Sequence, residues 1–176
     1  AHVAADDTDR IRRALERAAG EGADIIVVSG GLGPTRDDVT REAAARWAGV
    51  DTAVDESHLQ RLQALFEKHG FEFTSNNRSQ CEFPEDATVL TSKVGTASGF
   101  RLVHGNTQAY FFPGVPSEFQ WYLDEHVRPR LREESGLRPW SRQTMTFLGP
   151  GESGLEDRLE DILDAGEDDG VEARFL

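Results

Sequence analysis

Cysteine occurs once, at Cys81. A single thiol makes no internal disulfide and no cysteine-based zinc site. The segment around it, FEFTSNNRSQCEF, offers no residue that would activate it, so a structural role is expected. The five histidines (His2, His58, His69, His104, His126) show neither HxxxH nor HExxH spacing, so a histidine-based metal site is not expected. No apolar run approaches the roughly 20 residues that cross a bilayer. No charged-then-apolar leader opens the sequence. These absences predict a soluble, cytoplasmic protein with no membrane partner. Lysine is scarce, with Lys68 and Lys93 set against a total of 19 basic residues. Acidic residues number 32, for a net charge of −13. Such a field repels phosphate backbones, so nucleic acid is not an expected partner.

What is present is an alternation of helical and extended patterns over 176 residues, a length that suits one domain. DDTDRIRRALERAAGEG reads as a helix, with acids at its N-terminal end and Ile11, Leu15 and Ala18 on one face. ADIIVVSG reads as a strand buried on both faces, as in a parallel sheet. DDVTREAAARWAGV reads as a second helix, with Val39, Ala43 and Trp47 four apart and Gly49 as its stop. Ser57 and Gln60 suggest a capping box for the helix HLQRLQALFEKHG. NNRSQCEFPEDA reads as a loop or short irregular helix, and TVLTS as a short strand. GFRLVHGNTQAYFFPG reads as a β-hairpin turning near Gly105 and Asn106. SEFQWYLDEHVRPRL reads as a helix with Phe119, Leu123 and Val127 facing the core. A strand over TMTFLG and a helix over GESGLEDRLEDIL follow, and VEARFL resembles the start of another strand. The expected fold is a three-layer α/β/α domain with a mostly parallel central sheet and a small β-hairpin.

The chemistry concentrates in SGGLGPTRDDVTRE, residues 29–42. It lies where a strand hands over to a helix, the place where open α/β folds bind ligands. Gly30, Gly31 and Gly33 expose backbone N–H groups with no side chain in the way, and the following helix adds its positive end. Thr35 is placed either to cap that helix, with Asp38 closing a box, or to face a ligand. The result is an anion cradle, most simply for phosphate. It is not a Walker A loop, which ends in GK[ST], nor a GxGxxG loop. Asp37 and Asp38 would repel phosphate unless a hard cation such as Mg²⁺ lies between. Two readings therefore stand: a metal-assisted phosphoanhydride site, or two acids that stabilise a helix start. GTASG (95–99) and PGVPSE (113–118) are further permissive loops after strands, and one shared pocket would unite all three.

Together these residues resemble a known family. GGLGPTRDDVTRE is similar to the signature of the molybdopterin-binding-like (MoCF, MoaB, Mog) domains, in the version that opens the competence/damage-inducible CinA proteins. Asn77 to Gln80, Pro84 to Ala87, GTASGF, FPGVPSEF and GPGES follow in the family's order. The resemblance implies an α/β fold and a ligand at the glycine loop. That ligand would be a pterin phosphate in the molybdenum-cofactor branch and a nucleotide such as ADP-ribose in the CinA branch. It further implies a divalent-metal-dependent ADP-ribose pyrophosphatase using Mg²⁺, or alternatively Mn²⁺ or Co²⁺. Molybdopterin adenylylation and non-catalytic nucleotide binding are the alternatives.

Carried over position by position, the resemblance makes Asp38 the first catalytic and metal-binding candidate and Asp37 the second. It assigns phosphate contacts to Gly30, Gly31, Gly33 and Thr35. Gly95, Thr96, Ser98, Gly114 and Pro116 would line the rest of the pocket. Relatives form dimers or trimers, so a homo-oligomer is expected. The family's usual first strand and helix, with a GTELL-type stretch, has no counterpart here, and neither has the deamidase domain that often follows. The expectation is therefore a single domain over residues 1–176 lacking those parts.

Overall fold

A computed structural model of the chain describes residues 1–135, 148–149, 151 and 153–160. The sequence shows no linker, yet the chain divides into two compact units, residues 1–137 and 138–176. In the second unit residues 153–160 are helical, inside the helix expected there. The strand expected over TMTFLG falls mostly outside the described residues, and VEARFL entirely so.

In the first unit α1 spans Thr8–Gly20, and its N-cap Asp7 accepts from the N–H of Arg10 at 2.8 Å. Ile11 and Leu15 make its buried stripe. It leads into β1 (Ile25–Ser29), and α2 (Thr40–Ala48) ends at Gly49 in the left-handed conformation. The strand β2 (Thr52–Val54) precedes α3 (Glu56–Lys68) and the single turn α4 (Ser75–Arg78). The strands β3 (Glu82–Pro84), β4 (Thr88–Leu90), β5 (Gly99–His104) and β6 (Thr107–Phe112) follow. The chain then enters α5 (Pro116–Tyr122), a π-helical turn (Leu123–Val127) and α6 (Arg128–Ser135).

The main sheet has the order β1-β6-β5-β4. The β1–β6 pairing is parallel and carries the parallel character of the fold among the described strands. The β5–β6 hairpin and β4 join antiparallel. Gly105, at φ 59°, is the first of two turn residues, as a type II′ turn requires. Alternate residues of β6 build two cores, which explains the three layers. Ala109 and Phe111 pack with Ile11, Leu15, Ala44 and Trp47 of α1 and α2. Tyr110 and Phe112 pack on the other face with Tyr122 and Val127. Phe111 stacks on Phe100 at 4.4 Å, and Phe112 on Tyr122 at 4.8 Å. Full burial of each such ring stabilises by about 1.5–3 kcal/mol. A smaller antiparallel pair, β2–β3, sits beside a cluster of Leu59, Leu62 and Cys81.

Four sequence readings are corrected. The strand buried on both faces is β6, not β1, where Val27 remains 38% exposed. The reason is that β1 has one described neighbour, whereas β6 lies between two. The helix α2 starts at Thr40 rather than Asp37, and its N-cap position, Val39, makes no side-chain capping bond. The cap of α3 is Asp55, which accepts from the N–H of His58 at 2.9 Å and from the Ser57 hydroxyl at 2.6 Å. The helix after PGVP is interrupted by the π-turn directly ahead of Pro129, which has no N–H to continue an α-helical ladder.

Candidate functional site

The site begins where β1 ends. The N–H of Gly30 donates to the carbonyl of Phe112 at 2.9 Å, the last tie to β6. Three successive carbonyls are then held by the start of α2. Gly30 O accepts from Thr40 Oγ1 at 3.0 Å, Gly31 O from the Thr40 N–H at 3.3 Å, and Leu32 O from Arg41 Nη2 at 2.7 Å. A trans peptide sets each N–H opposite the preceding carbonyl. Tying these carbonyls to α2 therefore directs the N–H groups of Gly31, Leu32 and Gly33 away from it. Among the described residues, nothing accepts a hydrogen bond from the N–H of Gly31 or Leu32. Such a run of free donors is an anion-binding concavity.

Asp38 folds back over this loop. Its Oδ2 accepts from the Thr35 N–H at 2.9 Å and from the Thr35 hydroxyl at 2.5 Å. Burial alone would raise its pKa, but the Thr35 hydroxyl, the N–H groups of Gly33 and Thr35, and the charge of Arg41 together hold it below the ordinary value. The carboxylate is thus ionised at neutral pH. Arg41 itself is buried, with its guanidinium over the ring of Phe83, and burial brings its pKa down to about 10. It stays charged at neutral pH.

The loop forms one wall of a cavity of about 420 Å³, a size suited to a small-molecule ligand. Gly30, Gly31, Gly33 and Asp38 line it, joined by Leu32 and Pro34. Thr96 and Ala97 form a second wall, and Gly114, Val115 and Glu118 a third. Gln80 contributes a largely buried amide. The three Gly-containing loops thus share one pocket. Glu118 lies against Gly95, where a Cβ would meet its carboxylate at 2.2–2.4 Å. Its Oε2 is fully buried with no hydrogen-bond partner among the described residues, and burial raises its pKa.

A second tier fixes these walls. Tyr122 Oη lies 3.0 Å from the carbonyl of Leu90 and 3.1 Å from that of Ala97, and it accepts from the N–H of Gly99 at 3.0 Å. Ser92 Oγ accepts from the N–H groups of Val94 and Gly95, while Arg61 of α3 donates to Ser92 O. Ser98 is buried 3.5 Å from Nδ1 of His58.

Gly30, Gly31, Gly33, Asp38, Thr96 and Gly114 meet in the cavity lining. Gly95, Thr35, Ser98, Pro116 and Asp37 do not line it. Gly95 underlies Glu118, Thr35 holds Asp38, Ser98 packs behind the wall, Pro116 opens α5, and Asp37 is exposed on the loop. Glu118 was legible only as a first-turn acid of its helix. Arg41 and Gln80 drew no functional reading. Arg41 sits inside a helical pattern, and no spacing rule reveals that it reaches back to Leu32. Among the described residues, no group of three or more His, Cys, Asp or Glu side chains is clustered to hold a metal.

A parallel strand feeding a glycine loop and a helix, with free N–H groups and a walled cavity, defines an α/β domain whose site has the chemistry to suit an anionic small molecule. Residues 1–133 match the family described as a probable molybdopterin binding domain. The chain is 38% identical over 164 residues to a competence-damage inducible protein of Symbiobacterium thermophilum, covering 92% of this chain and 38% of that protein. It is 36% identical over 170 residues to a CinA-like protein of Anaeromyxobacter sp., covering 97% and 41%. The chain thus spans about two fifths of the length of these curated relatives. The crystal structure of a CinA protein of unknown function from Thermoplasma acidophilum matches with a TM-score of 0.61 and 34% identity, over 70% of this chain and 72% of that one. The chain belongs to the molybdopterin-binding-domain family, in its CinA-like group.

Proposed function

We propose that this domain binds the pyrophosphate of ADP-ribose or a related nucleotide in the glycine-loop cavity and hydrolyses it with a divalent cation. One observation carries the reading. Gly31 and Leu32, with free N–H groups, and Asp38, with an ionised carboxylate, line the same cavity. N–H donors alone would suit any anion. A carboxylate among them suits an anion that arrives with a hard cation, because Mg²⁺ is held by one or two carboxylates plus phosphate oxygens. Asp38 supplies such an oxygen donor from the cavity wall, and Asp37 follows on the exposed side of the loop. When bound, Mg²⁺, Mn²⁺ or Co²⁺ would neutralise charge on the phosphate oxygens. The N–H groups of Gly31 and Leu32 would hold the phosphate oxygens as negative charge builds on them, and Gln80 and Thr96 would contact the rest of the nucleotide.

The test is incubation with ADP-ribose and each of the three cations, reading AMP and ribose phosphate. Turnover with at least one cation is expected, and none with any would count against hydrolysis. The family description favours a second reading, in which the same cradle takes a pterin phosphate. Tight molybdopterin binding with ADP-ribose ignored would establish it. A rise in melting temperature with nucleotide but no cleavage would mark a binding module. A homo-oligomer, dimer or trimer, is the expected assembly and is read by sedimentation.

A further inference from the structure

We propose that Glu118 is the general base of this site, taking a proton from the water that attacks the pyrophosphate. The inference rests on the hydrolytic reading above and deepens it. Three features of the geometry carry it. The carboxylate lines the cavity on the wall formed by the PGVPSE loop, a different wall from the one that holds Asp38. One of its oxygens, Oε2, is fully buried and makes no hydrogen bond among the described residues. An unpaired buried carboxylate oxygen is costly to keep in a merely structural role, because no donor offsets its desolvation. Finally, the side chain is backed by Gly95, whose lack of a Cβ is what lets the carboxylate sit there.

The two acids of the cavity are driven in opposite directions. Asp38 is tied by hydrogen bonds and Arg41 and stays ionised, which suits a cation. Glu118 has burial acting on it with no compensating donor, so its carboxylate holds a proton more tightly than an ordinary glutamate. Separation of two such groups by environment is how one site assigns distinct roles to like residues. The titratable group interacting with it is Tyr122, one turn along α5, while Asp38 lines the same cavity. Tyr122 is neutral at the working pH, its pKa raised mainly by burial.

The step balances simply. A water oxygen forms a bond to one phosphorus while Glu118 takes one of its protons. The bond from that phosphorus to the bridging oxygen breaks, and the bridging oxygen leaves with the electron pair on the second phosphate. Glu118 then returns its proton to solvent.

The experiment compares the full chain with Glu118→Gln and Glu118→Asp, using ADP-ribose and Mg²⁺, Mn²⁺ or Co²⁺ over about pH 5 to 9. Circular dichroism confirms folding and calorimetry gives nucleotide affinity. E118Q is expected to lose about 100-fold or more in kcat with unchanged affinity. The parent's rate is expected to fall on the acid side, at a pH above the ordinary glutamate range. That limb should vanish from the residual activity of E118Q and persist in a slower E118D. An E118Q variant as fast as the parent overturns the proposal and leaves the hydrolytic reading standing. Equal loss of affinity and rate in E118Q also overturns it, because Glu118 would then be a binding residue. A parent that turns over no nucleotide with any cation overturns both.

Discussion

The hydroxyl of Thr40 occupies the space where a side chain on Gly31 would begin: a Cβ there would lie 2.1 Å from Oγ1. The same hydroxyl donates to the carbonyl of Gly30, and Gly31 has φ +70°. Gly31→Ala therefore meets both a clash and a left-handed backbone. It is expected to destabilise by about 2 kcal/mol or more, read by urea unfolding. Adding Thr40→Ala should recover part of the loss but not all, because the backbone penalty remains. Full recovery would show that the clash alone matters.

Asp38 links the site to acid stability. Its folded pKa lies below the usual aspartate value, so it stabilises the fold above the unfolded pKa. That contribution is lost as pH falls through the folded pKa. Denaturation between about pH 5 and pH 3 should show a steeper loss in the parent than in Asp38→Asn. In the same variant, ADP-ribose turnover is expected to collapse; activity equal to the parent would remove Asp38 from the chemistry.

His58 acts in the same direction but at higher pH. Burial depresses its pKa, with the charge of Arg61 adding to the effect and that of Asp55 opposing it. The unfolded chain then takes up a proton near pH 6.5 while the folded chain resists it, so stability declines as pH drops below about 6.5. His126 shares this direction. His58→Asn should flatten part of that slope, measured as the change in unfolding free energy with pH. An unchanged slope would mean that His58 titrates alike in both states.

Tyr122 ties α5 to the cavity wall that contains Ala97. Tyr122→Phe keeps the ring stack on Phe112 but strips the hydroxyl from Gly99, Leu90 and Ala97. The expected cost is about 1–3 kcal/mol, since buried backbone groups lose a partner. Nucleotide affinity should fall with it, because Ala97 lines the site. Calorimetry on the folded variant separates the two effects.

The features legible beforehand are those governed by neighbours in sequence. The acids at the start of α1, the hairpin turn at Gly105 and the glycine loop after an apolar strand all follow from local chemistry. The convergence of three loops was legible because each follows a strand. The strand β2 was missed because TAV is too short to show a period and its partner ends in Pro84. Tyr122 was missed as a core residue because the face was drawn four apart through Phe119, Leu123 and Val127, whereas Tyr122, three residues after Phe119 in α5, shares that face and cluster. The roles of Arg41 and Glu118 depend on which loops meet in space, which no periodicity encodes.

The three carbonyls tied to Thr40 and Arg41 have a thermodynamic consequence. The loop is held by hydrogen bonds to its own helix, so it loses its backbone freedom when the chain folds. A ligand entering the cavity then meets donors already in place and causes little further ordering there. Binding at this wall should release heat with a small entropic penalty, and loosening the anchor should weaken affinity through entropy while leaving every ligand contact chemically intact.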